Sequence, residues 1–356
     1  MLVSSYLSNV QVMPLGAADP TPLYTLPLPT SLGATSCTWV SPSDVTSDIL
    51  VAAGGVDRAT HVYQLPSLEP DIAASEGATA REIYTLMGHT GPISSVITSR
   101  TGKDIVSASW DSTVNLYVVP ESEPDSHQVD AEPTSYLPGQ KKRRKLHGDA
   151  PRNIEGLTDG DAGAAGEGWR RLPDLQFRGH RGRVGAVVWD VNEDLRVWSA
   201  GWDGSVRQWD AETGANVLTR QGPADKALLC LDQFQGSGQL ATGSMDRTVS
   251  LWDTRQAASV IAQSLNVGSP VPSLQCHPRS SFTLATATYA GNVQIWDVRS
   301  PKHALFSVRR QGELNRTETK NGKVLGERLL AVAWDGEVLA AGGEDGEVGV
   351  WKARGE

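Results

Sequence analysis

The chain has 356 residues and a net charge of −9, with 41 acidic against 32 basic side chains, which excludes a surface given over as a whole to polyanions while leaving local basic patches open. Its three cysteines, Cys37, Cys230 and Cys276, lie far apart without a C-x-x-C pair, so neither a zinc site nor a disulfide framework is implied, and a reducing intracellular compartment is expected. No run of 18 apolar residues occurs, and the opening MLVSSYLSNVQVMPL lacks the basic head and continuous apolar core of a signal peptide, so no membrane contact is expected.

In chain order, a pattern of acid, x, x, Val or Thr, x, x, aromatic returns again and again. A weak copy opens the chain with Leu7, Val10 and Met13, followed by Asp57, Thr60 and Tyr63, and then by Asp111, Val114 and Tyr117. Beyond a long interruption come Asp203, Val206 and Trp209, then Asp246, Val249 and Trp252. A sixth copy has Ala290 in place of the acid but keeps Val293 and Trp296, and the last is Asp345, Val348 and Trp351. The aromatic or its substitute falls at 13, 63, 117, 209, 252, 296 and 351, so the spacings are 50, 54, 92, 43, 44 and 55. Seven copies at roughly 40 to 50 residues, with one large insertion, read as four-stranded propeller blades.

One copy shows why. In LRVWSAGWDGSVRQWD a strand ends at the Trp202-Asp203-Gly204 turn, and a second strand alternates Val206 and Gln208 against Arg207 and Trp209. An acid in such a turn can accept hydrogen bonds from the turn backbone and from a nearby histidine, tying the strands together from inside. Gly88-His89 and Gly179-His180 each precede an apolar strand, PISSVIT and RVGAVVWDV. The chain thereby resembles the WD-repeat propellers, whose blades carry Gly-His near the start and Trp-Asp at the end. The resemblance implies that His180, Asp203 and Trp209 form an internal set with a strand hydroxyl such as Ser199, and it gives a structural role to His89, Asp111, Asp246, Trp252, Trp296, Asp345 and Trp351. The expected fold is all-β: a single seven-bladed WD-repeat β-propeller over 1–356, because each blade buries its faces on its neighbours.

Two excursions interrupt the repeats. Residues 118–174, rich in Glu, Asp, Pro, Gly and Ala, hold too little apolar content to fold and are expected to be a disordered charged insert. Within it Lys141, Lys142, Arg143, Arg144 and Lys145 form a run of five cations that stays solvated and available to an acidic-grooved partner or to phosphates. A nuclear localisation signal is expected, with RNA contact as a second use and a generic solubilising run as the plain alternative. Residues 309–327 read as a polar loop before the last copy. At the start, LVSSYL and NVQVM match only the two middle strands of a blade, so the first blade is expected to be incomplete at its amino terminus, as in a shortened form. KARGE after Trp351 is too short to supply the last blade's outer strand.

The residue before the turn acid is Tyr6, Val56, Trp110, Trp202, Met245, Tyr289 and Glu344 in turn. Turns of this kind share one face of a propeller, so Tyr6, Trp110, Trp202, Met245 and Tyr289 are candidates for a protein-binding surface. The alternative is that they pack on the next blade. The P-loop, H-E-x-x-H and G-x-S-x-G signatures are absent, and an acid that recurs once per blade is explained by turn chemistry, so neither enzyme activity nor a cofactor is expected.

The charged insert with its Lys-Lys-Arg-Arg-Lys run, set between SASWDSTVNLY and SAGWDGSVRQWD, resembles the family of WD-repeat subunits of the PeBoW complex, over nearly the whole chain from Leu2 to Trp351. That likeness implies a non-enzymatic scaffold in large ribosomal subunit assembly and ribosomal RNA maturation, in nucleus, nucleolus and nucleoplasm. Implied partners are a second WD-repeat protein, pescadillo and the pre-60S particle. Family members also reach an AAA-type ATPase through an amino-terminal ubiquitin-like domain; nothing like it precedes the first copy here, so that contact is not expected. The competing reading is a WD-repeat adaptor of another nuclear complex, a histone reader or a ubiquitin-ligase substrate receptor. A histone reader would be expected to show acidic rather than aromatic turn positions, and a ligase receptor an adaptor-binding motif outside the ring.

Overall fold

The computed structural model describes residues 2–4, 9–12, 24–27, 34–40, 49–54, 57–65, 81–118, 169–222, 226–255, 261–309, 328–344 and 346–352. Every regular element among them is a strand, and the strands form seven sheets, one for each copy of the sequence pattern. By contact the chain divides into two compact units, 1–179 with 209–216, and 180–208 with 217–356.

The first unit opens with a three-stranded sheet of β1 (Leu2–Ser4), β2 (Asn9–Val12) and β3 (Tyr24–Pro27). The second sheet comprises β4 (Ala34–Val40), β5 (Ile49–Gly54), β6 (Thr60–Gln64) and β7 (Arg81–Leu86). The third runs through β8 (Ile93–Thr98), β9 (Asp104–Ser109) and β10 (Thr113–Val118); after the insert, β11 (Trp169–Arg171) joins the second sheet and β12 (Leu175–Arg178) closes the third. Val62, Tyr84 and Leu86 of the second sheet meet Ile93, Val96, Ile105 and Tyr117 of the third in one buried cluster. Alternation along each strand, with apolar side chains on both faces, is what lets successive sheets bury one another.

The return from the insert is knitted in at three points. Strand β11 pairs parallel with β7, Trp169 opposite Tyr84 and Arg171 opposite Leu86, and Met87 N–H donates to the Arg171 carbonyl at 2.8 Å. Pro173 lies over Gly88, where φ is +118° and a Cβ would come within 2.7 Å of the proline ring; both constraints favour glycine. Asp174 then accepts from Val118 N–H at 2.8 Å and donates its own N–H to the Leu116 carbonyl. Val118 therefore belongs to β10 and residues 169–174 are part of the sheets, while 119–168 of the expected 118–174 excursion, with the cationic run 141–145, lies outside the described residues. So does most of the expected loop 309–327, except Arg309, the last residue of a strand.

The second unit holds β13 (Val184–Trp189), β14 (Arg196–Gly201), β15 (Ser205–Asp210) and β16 (Asn216–Gln221), the last two of which have residues in both units. Next come β17 (Leu228–Gln233), β18 (Leu240–Ser244), β19 (Thr248–Trp252) and β20 (Ile261–Asn266). The sixth sheet has β21 (Ser273–Cys276), β22 (Thr283–Ala287), β23 (Asn292–Asp297) and β24 (Phe306–Arg309), and the seventh β25 (Leu329–Trp334), β26 (Val338–Gly343) and β27 (Val348–Lys352). Three clusters join these sheets in sequence: Trp198 and Val206 with Leu240 and Trp252, Val249 and Phe234 with Leu284 and Trp296, and Val293 and Ile295 with Leu329 and Leu339. Repeated antiparallel four-stranded sheets stacked this way are the architecture of a WD-type β-propeller.

Candidate functional site

In the second to fifth sheets the turn between the second and third strands is built by the acid and its neighbours. In the fourth sheet, Asp203 accepts from the N–H groups of Arg181 at 2.9 Å and Ser205 at 3.1 Å, and from Ser205 Oγ at 2.7 Å. His180 Nδ1 lies 3.1 Å from both Asp203 oxygens, and Nε2 lies 2.8 Å from Ser199 Oγ. A carboxylate can only accept, so Nδ1 donates to Asp203, while Nε2 shares a hydrogen bond with the serine hydroxyl. In the third sheet, Asp111, His89 and Ser107 repeat the arrangement at 3.0 and 2.8 Å, and Tyr117 donates its hydroxyl to the Met87 carbonyl. Burial opposes ionisation of Asp111 and Asp203, but hydrogen bonds, first from His89 and His180 respectively, outweigh it and hold both carboxyls well below the usual range.

Trp209 and Trp252 are fully buried and Trp296 nearly so. Trp209 stacks on Phe177 at 5.6 Å, and Trp252 Nε1–H donates to Thr242 Oγ1 at 2.9 Å. Trp351 is half-buried, and Asp345 lies outside the described residues. Where Gly-His is missing, other groups take its place. In the fifth sheet Lys226 reaches Asp246 at 3.0 Å; in the sixth, Ala290 leaves the turn to a Thr288–Asn292 side-chain bond.

The second sheet holds a histidine that the sequence pattern passed over. His61, on β6, has Nε2 2.8 Å from Asp57 Oδ2 and Nδ1 2.8 Å from Glu82 Oε1. Both nitrogens face acceptor-only groups, so both donate and the ring is an imidazolium. Burial works against that charge, yet the hydrogen bonds to Asp57 and Glu82 push the pKa up to about 9. The signal was present in the sequence as an acid four residues before a histidine, in a copy that lacks Gly-His at its start.

Each described residue before the turn acid, or before Ala290 in the sixth copy, donates its N–H to a carbonyl just ahead of its sheet's first strand: Trp110 to Pro92, Trp202 to Arg183, Met245 to Ala227, Tyr289 to Pro270 and Glu344 to Arg328. The backbone is thus fixed while the side chain is left outside. Trp110, Trp202 and Met245 are 42, 37 and 51% exposed; Tyr289 and Glu344 are half-buried. The Arg183 guanidinium sits 4.8 Å from the Trp202 ring centroid, and Arg328 of the seventh sheet covers Tyr289 at 5.2 Å. Tyr6 and Val56 lie outside the described residues. Among the described residues no cluster of His, Cys, Asp and Glu is placed to hold a metal ion, and no helix is long and apolar enough to cross a membrane.

The profile of the family described as "WD domain, G-beta repeat" matches residues 80–117, 173–210 and 214–253, the stretches that carry His89 with Asp111, His180 with Asp203, and the buried Tyr117, Trp209 and Trp252. These three stretches are WD repeats. Among the relatives of this WD-repeat chain are proteins named ribosome biogenesis protein WDR12 homolog, from Oryza sativa, 28% identical over 89% of this chain and 63% of its own length, and ribosome biogenesis protein ytm1 from Aspergillus oryzae, 28% identical over 89% and 62%. Ribosome biogenesis protein YTM1 of Laccaria bicolor is 26% identical over 99% of this chain and 71% of its own. The chain thus spans a little under two thirds of the length of the rice and Aspergillus relatives.

Proposed function

We propose that this WD-repeat chain is a non-enzymatic scaffold of ribosome biogenesis, acting in assembly of the large subunit and maturation of its RNA. Its mechanism is rigid presentation of surface: no bond is made or broken. The turns bearing Trp110, Trp202, Met245 and Tyr289 hold a second WD-repeat protein, with pescadillo and the pre-60S particle as further company. The observation that carries the reading is the pairing of large exposed turn side chains, on backbones fixed by hydrogen bonds, with relatives that are named for ribosome biogenesis. Interface cores are enriched in such aromatics and methionine. Residues 141–145 serve as a nuclear localisation signal, which fits a nucleolar task.

The test is affinity purification of the chain followed by mass spectrometry of the proteins that accompany it. Recovery of pescadillo, a WD-repeat companion and large-subunit precursor proteins is expected. Recovery of histones or of ubiquitin-ligase adaptors in their place would overturn the assignment in favour of a different nuclear adaptor.

A further inference from the structure

The first strands of the fourth and fifth sheets start side by side. A Cβ on Gly185, the second residue of β13, would lie 2.6 Å from the Leu228 carbonyl oxygen and 2.8 Å from that of Leu229, at the head of β17. The Trp202 turn is hydrogen-bonded to the residue before β13 and the Met245 turn to the residue before β17, so the two exposed side chains share one end of adjacent sheets.

This end is cationic in a chain of net charge −9. Arg183 covers the Trp202 ring, Arg247 is an exposed turn residue two positions after Met245, and Arg181 and Arg207 flank Asp203. Arg181 is near enough to Arg207 to oppose its charge, on top of the cost of partial burial. The carboxylates of the same turns do not neutralise the patch outright. Asp203 is engaged by His180 and the turn backbone, and Asp246 by Thr248 and Lys226.

We propose that this end of the fourth and fifth sheets, where Arg181, Arg183, Arg207 and Arg247 lie in or beside the turns that carry Trp202 and Met245, docks a stretch of a partner protein in which acidic residues alternate with apolar ones. The inference rests on the scaffold reading and specifies the chemistry its face selects. A guanidinium laid on an indole ring is pre-organised for a carboxylate, while Met245 offers an adaptable apolar contact between charged neighbours. Nucleic acid suits the patch less well. One face of the Trp202 ring is already covered by Arg183, a thioether cannot stack on a base as an aromatic does, and the chain's net negative charge opposes a long polyanion. A short acidic segment feels chiefly the charges within a Debye length, about 8 Å at physiological salt.

The experiment is a fluorescence-anisotropy titration of the full chain with three labelled probes: a peptide alternating Glu and Asp with Leu, the same peptide with Lys for the acids, and oligouridine. Saturable binding of the acidic peptide alone is expected, weakening as salt rises and falling about 10-fold in Arg183→Glu and in Met245→Ala, as for loss of a central contact. A urea midpoint unchanged in both variants certifies the fold. Absence of saturable acidic-peptide binding, or equal affinity in Arg183→Glu, would overturn the proposal. Arg183-dependent binding of oligouridine as tight as that of the peptide would reassign the patch to nucleic acid. The scaffold reading is tested separately: if ribosome-assembly proteins are captured equally by the native chain and Arg183→Glu, that reading stands and this one falls.

Discussion

The imidazole of His180 is aimed between the two oxygens of Asp203, with Nδ1 3.1 Å from each, across 23 residues of chain. Because both groups are almost inaccessible to solvent, removing either leaves the other's polar atoms buried without their partner. His180→Ala and Asp203→Ala should each lose about 2–4 kcal/mol of unfolding free energy, read as a lower urea midpoint. The double variant should lose less than the sum, because each single change already breaks the same pair.

The charge state of His61 sets an alkaline limit. Its folded pKa of about 9 lies above the usual 6.5, so its contribution is fully present below pH 6.5 and is lost as pH rises through 9. The shift corresponds to about 3 kcal/mol. In His61→Gln, the fall in melting temperature between pH 6.5 and 9 should flatten. Asp111 and Asp203 work in the opposite sense. Their folded values lie below the usual 3.8, so their stabilisation is present above that pH and is lost as the solution is acidified through the folded values. Acid unfolding should therefore begin at higher pH in Asp111→Asn.

The chain on the two sides of the insert is tied together close by, with Val118 N–H bonded at 2.8 Å to Oδ2 of Asp174, five residues after Trp169. Replacing 119–168 by a Gly-Ser linker long enough to span from Val118 to Trp169 should leave the melting temperature within a few degrees, since closure entropy changes only slowly with loop length. A large loss of stability would show that the insert contributes to the fold.

Trp110→Ala combined with Trp202→Ala should weaken capture of the WD-repeat companion by at least about 10-fold with the fold intact, since truncating exposed anchors costs binding more than stability. A pull-down titration with unchanged affinity would count against this face.

Changing Lys141, Lys142, Arg143, Arg144 and Lys145 to alanine should move a fluorescent fusion of the chain out of the nucleus. Unchanged distribution would remove the localisation claim.

What could be read from sequence followed from strict periodicity. The acid, β-branched residue and aromatic stand at fixed offsets because a tight turn and an alternating strand admit little else, so each of the seven copies corresponds to a sheet in the structure. Pairings that depend on distance in space were not legible. Nothing in Trp169-Arg170-Arg171 announces a parallel strand on β7, since three residues are too few to carry a pattern. His61 escaped because its partners lie 4 residues before it and 21 after it, outside the Gly-His frame. The stacking of Arg328 on Tyr289 spans two sheets that no local motif connects.

The parallel pairing of β11 with β7 and the antiparallel pairing of β12 with β10 also bear on whether the backbone must be continuous. A single cleavage within 119–168 would leave β4 to β10 on one fragment and β11 and β12 on the other, still joined by two strand ladders and by the packing of Pro173 on Gly88. Such a nicked molecule should elute from a sizing column as one particle and separate only in denaturant. Two independently expressed halves divided there should find each other, making this insert the natural place to split the protein for complementation.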